Sequence, residues 1–482
     1  MSAPNLLAAD LRQVLDAFRR EGELLTIPNA DCELELGAIA ELQALRHGPA
    51  LMFDPLPGFP AGFRILANLM NEPRRVALLM GLERDVPGVV LVRAIRDRFN
   101  ALQPIDPVQA GDAGFAEVCL RGAEVDLCSL PAPLWHEHDG GRYLGTGCVV
   151  VMKDPDEGWV NVGTYRVQVH DARTAGLFIE QTHHGATILR RWWERGQAAP
   201  IAVCIGVQPA VLLGGFLAVS WGLSEYRWAG GLAGRPIEIV EGEVTGLPLP
   251  ASSEIVIEGF CPPPSEERRM EGPFGETIGY YASGAREEPV IRVETMYHRR
   301  DPIVVGAPPL RPPASSSASY LFRAANLWNE IERSGVSDVR GVWMMPSGSS
   351  SLLAVVSVKQ RYGGHAKHVG TAAMSGRAGG GQLGRFVIVV DDDVDPSDQE
   401  QVLWAIATRC EPAEDIDVIR GTASHHLDPR LPPEKRAAGD YTCSRAVINA
   451  CRPFYWRSQF PEVVGTSPEL RQQILAKWRD YF

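Results

Sequence analysis

The sequence predicts a mixed α/β protein of two or three domains, with a strand-rich centre between two α/β ends. Three observations carry this. The chain has 482 residues, more than one compact core usually holds. Helix-period and strand-like segments alternate at both ends. Between them, from about Cys128 to about residue 305, the pattern turns to apolar runs broken by turn residues.

In the first region, residues 1–125, Leu7, Leu11, Val14, Leu15 and Phe18 fall at helical spacing. GELLTIP follows a glycine stop and reads as a short strand. ALMFD at 50–54 and RRVALLMGL at 74–82 continue the mix of strands and helices. In the second region, 126–305, GTGCVVVMK, the turn DPDEG and WVNVGTYRVQVH predict a long hairpin. PIAVCIG, PIEIVEGE and SEIVIEGF add strands and THHGATILRRWWERG a helix, an inventory compatible with a barrel. GAPPLRPPASSSAS at 306–319 reads as a linker or mobile loop. In the third region, 306–482, LLAVVSVKQ and RFVIVVDDD are apolar enough for buried parallel strands, and PSDQEQVLWAIATRC is a helix. SPELRQQILAKWRDYF predicts a terminal helix capped by Ser467, with Pro468 in its first turn. Its stripe of Leu470, Ile474, Trp478 and Phe482 must pack on its own chain or on a partner.

Composition excludes several classes. Hydrophobic residues at 45% and charged residues at 22% allow large cores without disulfides. The net charge of -12 and the absence of a basic stripe argue against nucleic-acid binding. Arg190, Arg191 and Arg195 cluster only around Trp192 and Trp193. The nine cysteines form no CxxC, which favours a reducing compartment and buried apolar roles, as for Cys148 and Cys204. Asp10, Arg12 and Asp16 interrupt any leader-like stretch, and no 18-residue apolar window occurs. A cytoplasmic protein without membrane spans is expected.

Five motifs bear on chemistry. EGPFGE at 271–276 sets Glu271 and Glu276 about a Gly-Pro-Phe-Gly turn, where two carboxylates can converge and one can stay protonated. Spacing alone favours a surface turn with solvated glutamates. In WVNVGTYR, Asn161 and Tyr165 share one strand face and Arg166 the other. Asn161 and Arg166 serve one site only if the chain bulges or curls at Gly163; otherwise this is a half-exposed strand. The pair His183 and His184 in HHG suits a metal or, more commonly, hydrogen-bonded histidines. The second pair, His425 and His426, shows how little adjacency says, and Glu225 in LSEYRWAG says less. RAGGGQLGR at 377–385 precedes a strand and lacks GKS or GKT, which argues against a phosphate loop. DDDVD at 391–395 suits magnesium or helix capping, and capping is favoured.

Taken in order, WVNVGTYR, IEQTHHG, PIAVCIG, LSEY, LPLPASSEIVIEG, MEGPFGETIGYY, KQRYGGHAKHV, VIVVDDDVDP and VLWAIATRCEP span nearly the whole chain. This ordered set resembles the UbiD family of decarboxylases, EGPFGE followed by GYY being its most specific element. The resemblance implies an N-terminal α/β domain, a central flavin-binding split β-barrel and a C-terminal α/β domain whose terminal helix joins subunits, giving homodimers or homohexamers. It implies prenylated FMN, supplied by a flavin prenyltransferase, with Mn2+ and a possible K+. The metal ligands implied are Asn161, His183 and Glu225; a one-residue shift in register exchanges His183 for His184. Arg166, Glu271 and Glu276 match the catalytic trio. Arg166 engages the substrate carboxylate, Glu276 delivers the proton and Glu271 tunes both. Gly163, Thr164, Tyr165, Thr182, His184, Gly185 and Lys367 match cofactor-contacting positions, Lys367 as a cation for the phosphate.

The activity implied is reversible, non-oxidative decarboxylation of an aromatic, heteroaromatic or α,β-unsaturated carboxylic acid through a covalent adduct with the modified flavin. The alternatives are a flavin-binding accessory protein, a plain FMN oxidoreductase, or a family member working mainly as a carboxylase or on a thioester. Two departures stand out. Gly163 and Thr182 are smaller than their counterparts in ferulic-type enzymes, and GGFLAVSWG lacks the family's proline pattern, which bears on potassium. Small side chains near 315–320 and 371–381 point to a roomy pocket.

Overall fold

The computed structural model describes residues 5–217, 219–376, 384–479 and 481. Its architecture is mixed α/β, with a strand-rich centre flanked by two smaller sheets carrying helices. RAGGGQLGR lies largely outside the described residues.

The first helix, Leu11–Arg20, forms over Leu11 to Phe18 of the expected stripe, while Leu7 is buried in a turn before it. The Asp10 carboxylate accepts from Arg12 N at 2.8 Å, and the Gln13 side chain reaches back to Asp10 N. Its face of Leu11, Val14, Leu15 and Phe18 is buried. It packs beside a four-stranded sheet in which Leu24–Ile27 runs parallel to Ala50–Phe53, and Ala50–Phe53 antiparallel to Arg64–Ala67. The fourth strand, Ile303–Gly306, arrives from the far end of the central region and runs parallel to Arg64–Ala67. Conversely, Val118–Arg121 pairs with Val290–His298 of the central sheet. Strands thus cross both boundaries expected from composition, at 125 and 305. Periodicity identifies a strand but not its partner.

The central sheet decides the site. Its hydrogen-bonded path runs Arg142–Gly145, Arg166–Val169, Thr174–Phe178, Val290–His298, Ile255–Cys261, Ala199–Ile205, Cys148–Lys153 and Val160–Gly163. WVNVGTYRVQVH is therefore not one strand. Val160–Gly163 forms the expected hairpin with Cys148–Lys153, but Arg166–Val169 lies near the opposite end of the path, against Arg142–Gly145 and Thr174–Phe178. In a flat sheet these two strands would stand roughly 29 Å apart, at ~4.8 Å per step. Thr164 and Tyr165 alone connect them, and three Cα steps span at most about 11 Å. The sheet must curl nearly closed, which accounts for its half-barrel form.

The C-terminal sheet has the order Val339–Met344, Leu353–Val358, Phe386–Asp391, Thr442–Ala450, Ile416–Ala423. LLAVVSVKQ and RFVIVVDDD supply its buried parallel pair, as their continuous apolar runs predict. The DDDVD aspartates are structural. Asp391 accepts from Gln360 at 2.8 Å, Asp393 pairs with Arg409 at 2.8 Å, and Asp395 accepts from Ser397 N at 2.9 Å.

Helix Ser319–Arg333 packs this part onto the first. Arg96 lies 4.4 Å over the Trp328 ring, and Asn100 donates to Asn329 at 2.8 Å. The terminal helix Pro468–Lys477 has Ser467 capping Leu470 N, and Leu470, Ile474, Leu475 and Trp478 stay exposed on the single chain. Among the described residues no helix is long and apolar enough to cross a membrane.

The buried ion pair of Arg75 with Glu23, at 2.8 Å and shared with Arg74 at 2.6 Å, ties the helix Pro73–Leu79 to the first sheet. Arg75→Ala is expected to cost about 3–5 kcal/mol, because it leaves a buried carboxylate short of a partner. A clearly lowered thermal midpoint checks this; a wild-type midpoint would refute it.

Candidate active site

A cavity of about 400 Å³ opens between the curled sheet, the EGPFGE loop, the 306–319 segment and helix Ser319–Arg333. That size is typical of small-molecule sites. Arg166, Phe178, Glu180, His183, Phe274 and Glu276 are among its lining residues.

Arg166 begins its strand at this wall. Its Nε and Nη2 donate to the two oxygens of Glu271 at 2.6 and 2.8 Å, and its Nη1 approaches Glu276 Oε1 at 3.4 Å. The pair with Glu271 is two-pronged and buried, the geometry a planar guanidinium favours. Phe178 and Phe274 lie against the guanidinium, 4.2 and 5.1 Å from its centre to theirs. Burial opposes the charge on Arg166, but the Glu271 hydrogen bond and its negative charge outweigh burial, so the guanidinium holds its proton more tightly than usual. Tyr143 donates to Glu271 Oε1 at 3.0 Å. Ser283 donates to Glu276 Oε1 at 2.7 Å. Burial pushes the Glu276 carboxyl above the usual range despite the attraction of Arg166.

The loop geometry follows from its glycines. Gly272 sits at φ +77°, a conformation that excludes most side chains. Its carbonyl packs on Gly140, whose N–H donates to Pro273 O at 2.7 Å and whose carbonyl accepts from Gln168 at 3.1 Å. EGPFGE is thus a supported wall, not a solvated turn, with Glu271 fully buried.

A smaller cavity of about 110 Å³ adjoins the first and shares Thr164, Tyr165 and His183 with it. Asn161, Gly163, Thr182, His184 and Glu225 also line it. Asn161 Nδ2 donates to Glu225 Oε1 at 3.0 Å and Val162 N to Oε2 at 2.8 Å. Tyr165 Oη donates to Asn161 Oδ1 at 3.0 Å and accepts from Gly185 N at 3.2 Å. Thr164 N donates to Gly215 O at 3.1 Å. His183 faces both cavities, whereas His184 lies edge-on between Trp159 and Trp221, at 5.3 and 5.2 Å. A side chain at position 163 would overlap the Tyr165 ring, so the small residue there reflects space already filled. Burial pushes Glu225 up to about 7, its hydrogen bonds to Val162, its own backbone and Asn161 only partly opposing this. A buried carboxyl held by neutral donors beside an amide and an imidazole is a donor set that fits a divalent cation.

The structure brings together Asn161, Gly163, Thr164, Tyr165, Arg166, Thr182, His183, His184, Gly185, Glu225, Glu271 and Glu276 at two joined cavities. Lys367 lies elsewhere. Its Nζ donates to Glu414 O at 2.8 Å and pairs with Asp417 at 3.2 Å, and it lines neither cavity. The 306–319 segment is cavity wall more than linker. Residues 371–376 do not line the cavity, and 377–381 lie outside the described residues.

Sequence reasoning missed Glu180, His425, His426 and Arg323. Glu180 approaches His426 Nε2 at 3.3 Å and His425 Nε2 at 3.7 Å. Burial pushes both histidines down to about 4 and raises Glu180. Leu427 N donates to His425 Nδ1 at 3.2 Å, which keeps the neutral ring's proton on Nε2, facing Glu180. This makes a polar wall and disfavours His425 Nε2 as a metal ligand. The HH pair was visible in sequence but its partner was not. Arg323 carried a faint signal: it sits three residues after Tyr320 and four before Leu327, inside the helix's buried stripe.

Comparison with known proteins agrees with this geometry. Residues 15–95, 107–312 and 319–450 match the N-terminal, Rift-related and C-terminal domains of the 3-octaprenyl-4-hydroxybenzoate carboxy-lyase family, UbiD. The chain is 35% identical over 459 residues to a phenolic acid decarboxylase of Streptomyces sp. (strain D7), covering 92% of each. It is 32% identical over 503 residues to a pyrrole-2-carboxylic acid decarboxylase of Pseudomonas aeruginosa, covering 99% of each. Among solved structures, the UbiD-class enzyme HmfF from Pelotomaculum thermopropionicum in complex with FMN superposes with a TM-score of 0.85 at 28% identity, over 97% of this chain and 100% of that one. An evolved dimeric form of that enzyme in complex with prFMN superposes with a TM-score of 0.81 at 27% identity, over 97% and 99% of the two chains. Fold and family match define a carboxy-lyase. The chain belongs to the UbiD family.

Adding a methyl at Gly140 would drive it into the Gly272 carbonyl. Gly140→Ala is expected to displace the 271–276 loop and cost about 1–3 kcal/mol. A crystal structure with the Arg166–Glu271 contacts unchanged, together with a wild-type thermal midpoint, would contradict this.

Proposed function

We propose that this protein is a prenylated-FMN-dependent decarboxylase acting reversibly, without net oxidation, on ring-conjugated carboxylic acids: aromatic, heteroaromatic or α,β-unsaturated. The observation that carries the proposal is the buried Arg166 clamped by Glu271 and facing Glu276 at the wall of the main cavity. Prenylated FMN, when bound, supplies the electron sink that loss of a carboxylate requires. The bound flavins of the structural relatives support that cofactor.

The protein's own part follows from its donors. A guanidinium has five N–H groups. Glu271 takes two and Glu276 approaches one, which leaves two for a substrate carboxylate. Glu271 keeps Arg166 fixed in direction, so binding orders few further atoms. Phe178, Phe274 and Phe216 exclude water around the reacting carbon. Glu276, its carboxyl raised above the usual range by burial and oriented by Ser283, delivers a proton to the carbon that CO2 leaves. Asn161, His183 and Glu225 would hold Mn2+, a hard cation that would supply positive charge for an anionic cofactor phosphate. Gly163, Thr164, Tyr165, Thr182, His184 and Gly185 surround that end. A K+ near the 214–222 segment belongs to the same reading.

A flavin prenyltransferase supplies the cofactor in this reading. The exposed stripe of the terminal helix supports association into dimers or hexamers. Nine cysteines without a disulfide support a cytoplasmic setting.

The test is co-expression with a flavin prenyltransferase, purification without oxygen, and CO2 release from a panel of ring acids. Bound prenylated FMN with turnover is expected; bound ordinary FMN with redox turnover would instead establish an oxidoreductase. Glu276→Gln is expected to lower turnover by about 10²–10⁴-fold while flavin content stays. Correspondingly, the wild-type rate falls as pH rises through the elevated pKa of Glu276, since only the protonated form donates. Near-normal turnover in the variant would remove Glu276 from that role. His183→Ala is expected to lose manganese and weaken flavin retention, read by metal analysis; full metal content would point to His184.

A further inference from the structure

Arg436 lies in the short helix Pro433–Ala437 of the third region and directs its guanidinium at backbone carbonyls. Nε donates to Leu431 O at 3.3 Å, Nη1 to His426 O at 2.8 Å, and Nη2 to Asp428 O at 2.5 Å. These three contacts fix it against its own loop. That loop is braced from inside as well. Ser424 Oγ donates to Asp428 Oδ2 at 2.8 Å, and Arg430 N to Asp428 Oδ1 at 2.9 Å. The loop turns His425 and Leu427 to the main cavity. The fourth contact leaves the third region. Nη1 also donates to Ala282 O at 2.9 Å, on the segment that follows EGPFGE.

Ala282 adjoins the residue that orients Glu276. Ser283, next in the chain and buried, donates to Glu276 Oε1 at 2.7 Å. On its other side Gly284 is exposed, and a Cβ there would meet nothing. The Ser283 hydroxyl is thus fixed at one backbone neighbour and loose at the other. Two further contacts reach the same segment. Tyr281 Oη donates to Asp139 Oδ1 at 3.2 Å, and Ser349 Oγ donates to Ile278 O at 3.4 Å. The contact from Arg436 is the shortest of these three.

We infer that Arg436 is a positioning residue: from the third region it fixes Ala282, so that Ser283 keeps the Glu276 carboxyl aimed into the cavity, and it ties that aim to the seating of the wall formed by His425 and Leu427. The inference rests on reading Glu276 as the proton donor. A guanidinium suits this task, because its five N–H groups diverge in fixed directions and reach several carbonyls at once. Three contacts on one loop preset the direction of the fourth, so little further order is lost when the two loops meet. Proton delivery is sensitive to such placement, since a shift of about 1 Å can lower a rate by about 10²-fold.

Two measurements on the flavin-loaded holoenzyme test this: steady-state kinetics on the ring acid that turns over fastest in the panel, and hydrogen exchange read by mass spectrometry. Arg436→Met is expected to lower kcat about tenfold, the size of one lost hydrogen bond, while KM moves less than about threefold and flavin content stays. Arg436→Lys is expected to recover part of the rate. Ser283→Ala is expected to lower kcat by a similar factor. The double variant then stays near tenfold, where independent sites would give about a hundredfold. The Glu276 and Gly279 amides, which donate to Tyr280 O and Glu276 O, are expected to exchange faster in Arg436→Met, while the strand Ile255–Cys261 exchanges as before. In the wild type, the amides of 276–283 and 424–431 lose protection together as urea is added. Multiplied effects in the double variant, unchanged exchange in Arg436→Met, or wild-type loops that open separately would each overturn the inference. The last is read without a substitution, so a variant that fails to fold does not shield it. If exchange and the double variant behave as expected but Glu276→Gln turns over normally, Arg436 keeps its place as the residue that sets this loop, and the proton-donor reading fails.

Discussion

The site depends on one interaction, the buried two-pronged pair of Arg166 with Glu271. Arg166 opens a strand near one end of the curled sheet, and Glu271 closes the short strand Arg269–Glu271 that leads into EGPFGE. The pair holds that loop against the barrel. Separating them would leave both charges in low dielectric with a single neutral hydroxyl, Tyr143, for Glu271. The loop therefore has one position, and Glu276 is carried to its place by it. Stability and chemistry share the same contact here. The arginine that the proposed function assigns to a carboxylate substrate is also the residue that anchors the loop carrying Glu276.

The second constraint is topological. Two residues, Thr164 and Tyr165, carry the chain from one end of an eight-strand path to near the other. A connection this short forces curvature, and the curvature sets Asn161 and Arg166 at two adjoining cavities. Tyr165 occupies the corner. Its ring fills the space above Gly163, and its hydroxyl links Asn161 to the Gly185 amide at the start of the helix His184–Glu194. One residue thus sets the spacing between the cation-type donors and the Arg166 trio.

The remaining walls come from distant sequence. Glu180 meets His425 and His426 from the C-terminal part, and helix Ser319–Arg333 contributes Arg323. Arg166, Glu271, Glu276, Asn161 and Glu225 all come from the central region, while much of the rest of the cavity is built by the third region.

Much of this was determined by the sequence alone. The helical spacing of Leu11, Val14, Leu15 and Phe18, the apolar runs LLAVVSVKQ and RFVIVVDDD, and the ordered motifs from WVNVGTYR to VLWAIATRCEP specify elements and class and name most of the residues that the structure gathers at the two cavities, because local chemistry and motif spacing are written along the chain. EGPFGE taken by spacing read better as a solvated turn; only burial against Gly140 and Arg166 made it a wall. Lys367 matched a cofactor position by motif but pairs with Asp417, since a motif match does not state which face of a helix meets the site. Strand partners across residues 125 and 305, the Glu180–His426 contact and the place of Arg323 in the cavity wall were decided by tertiary structure alone. Each depends on which distant segments are brought together, and that is not encoded in any local period.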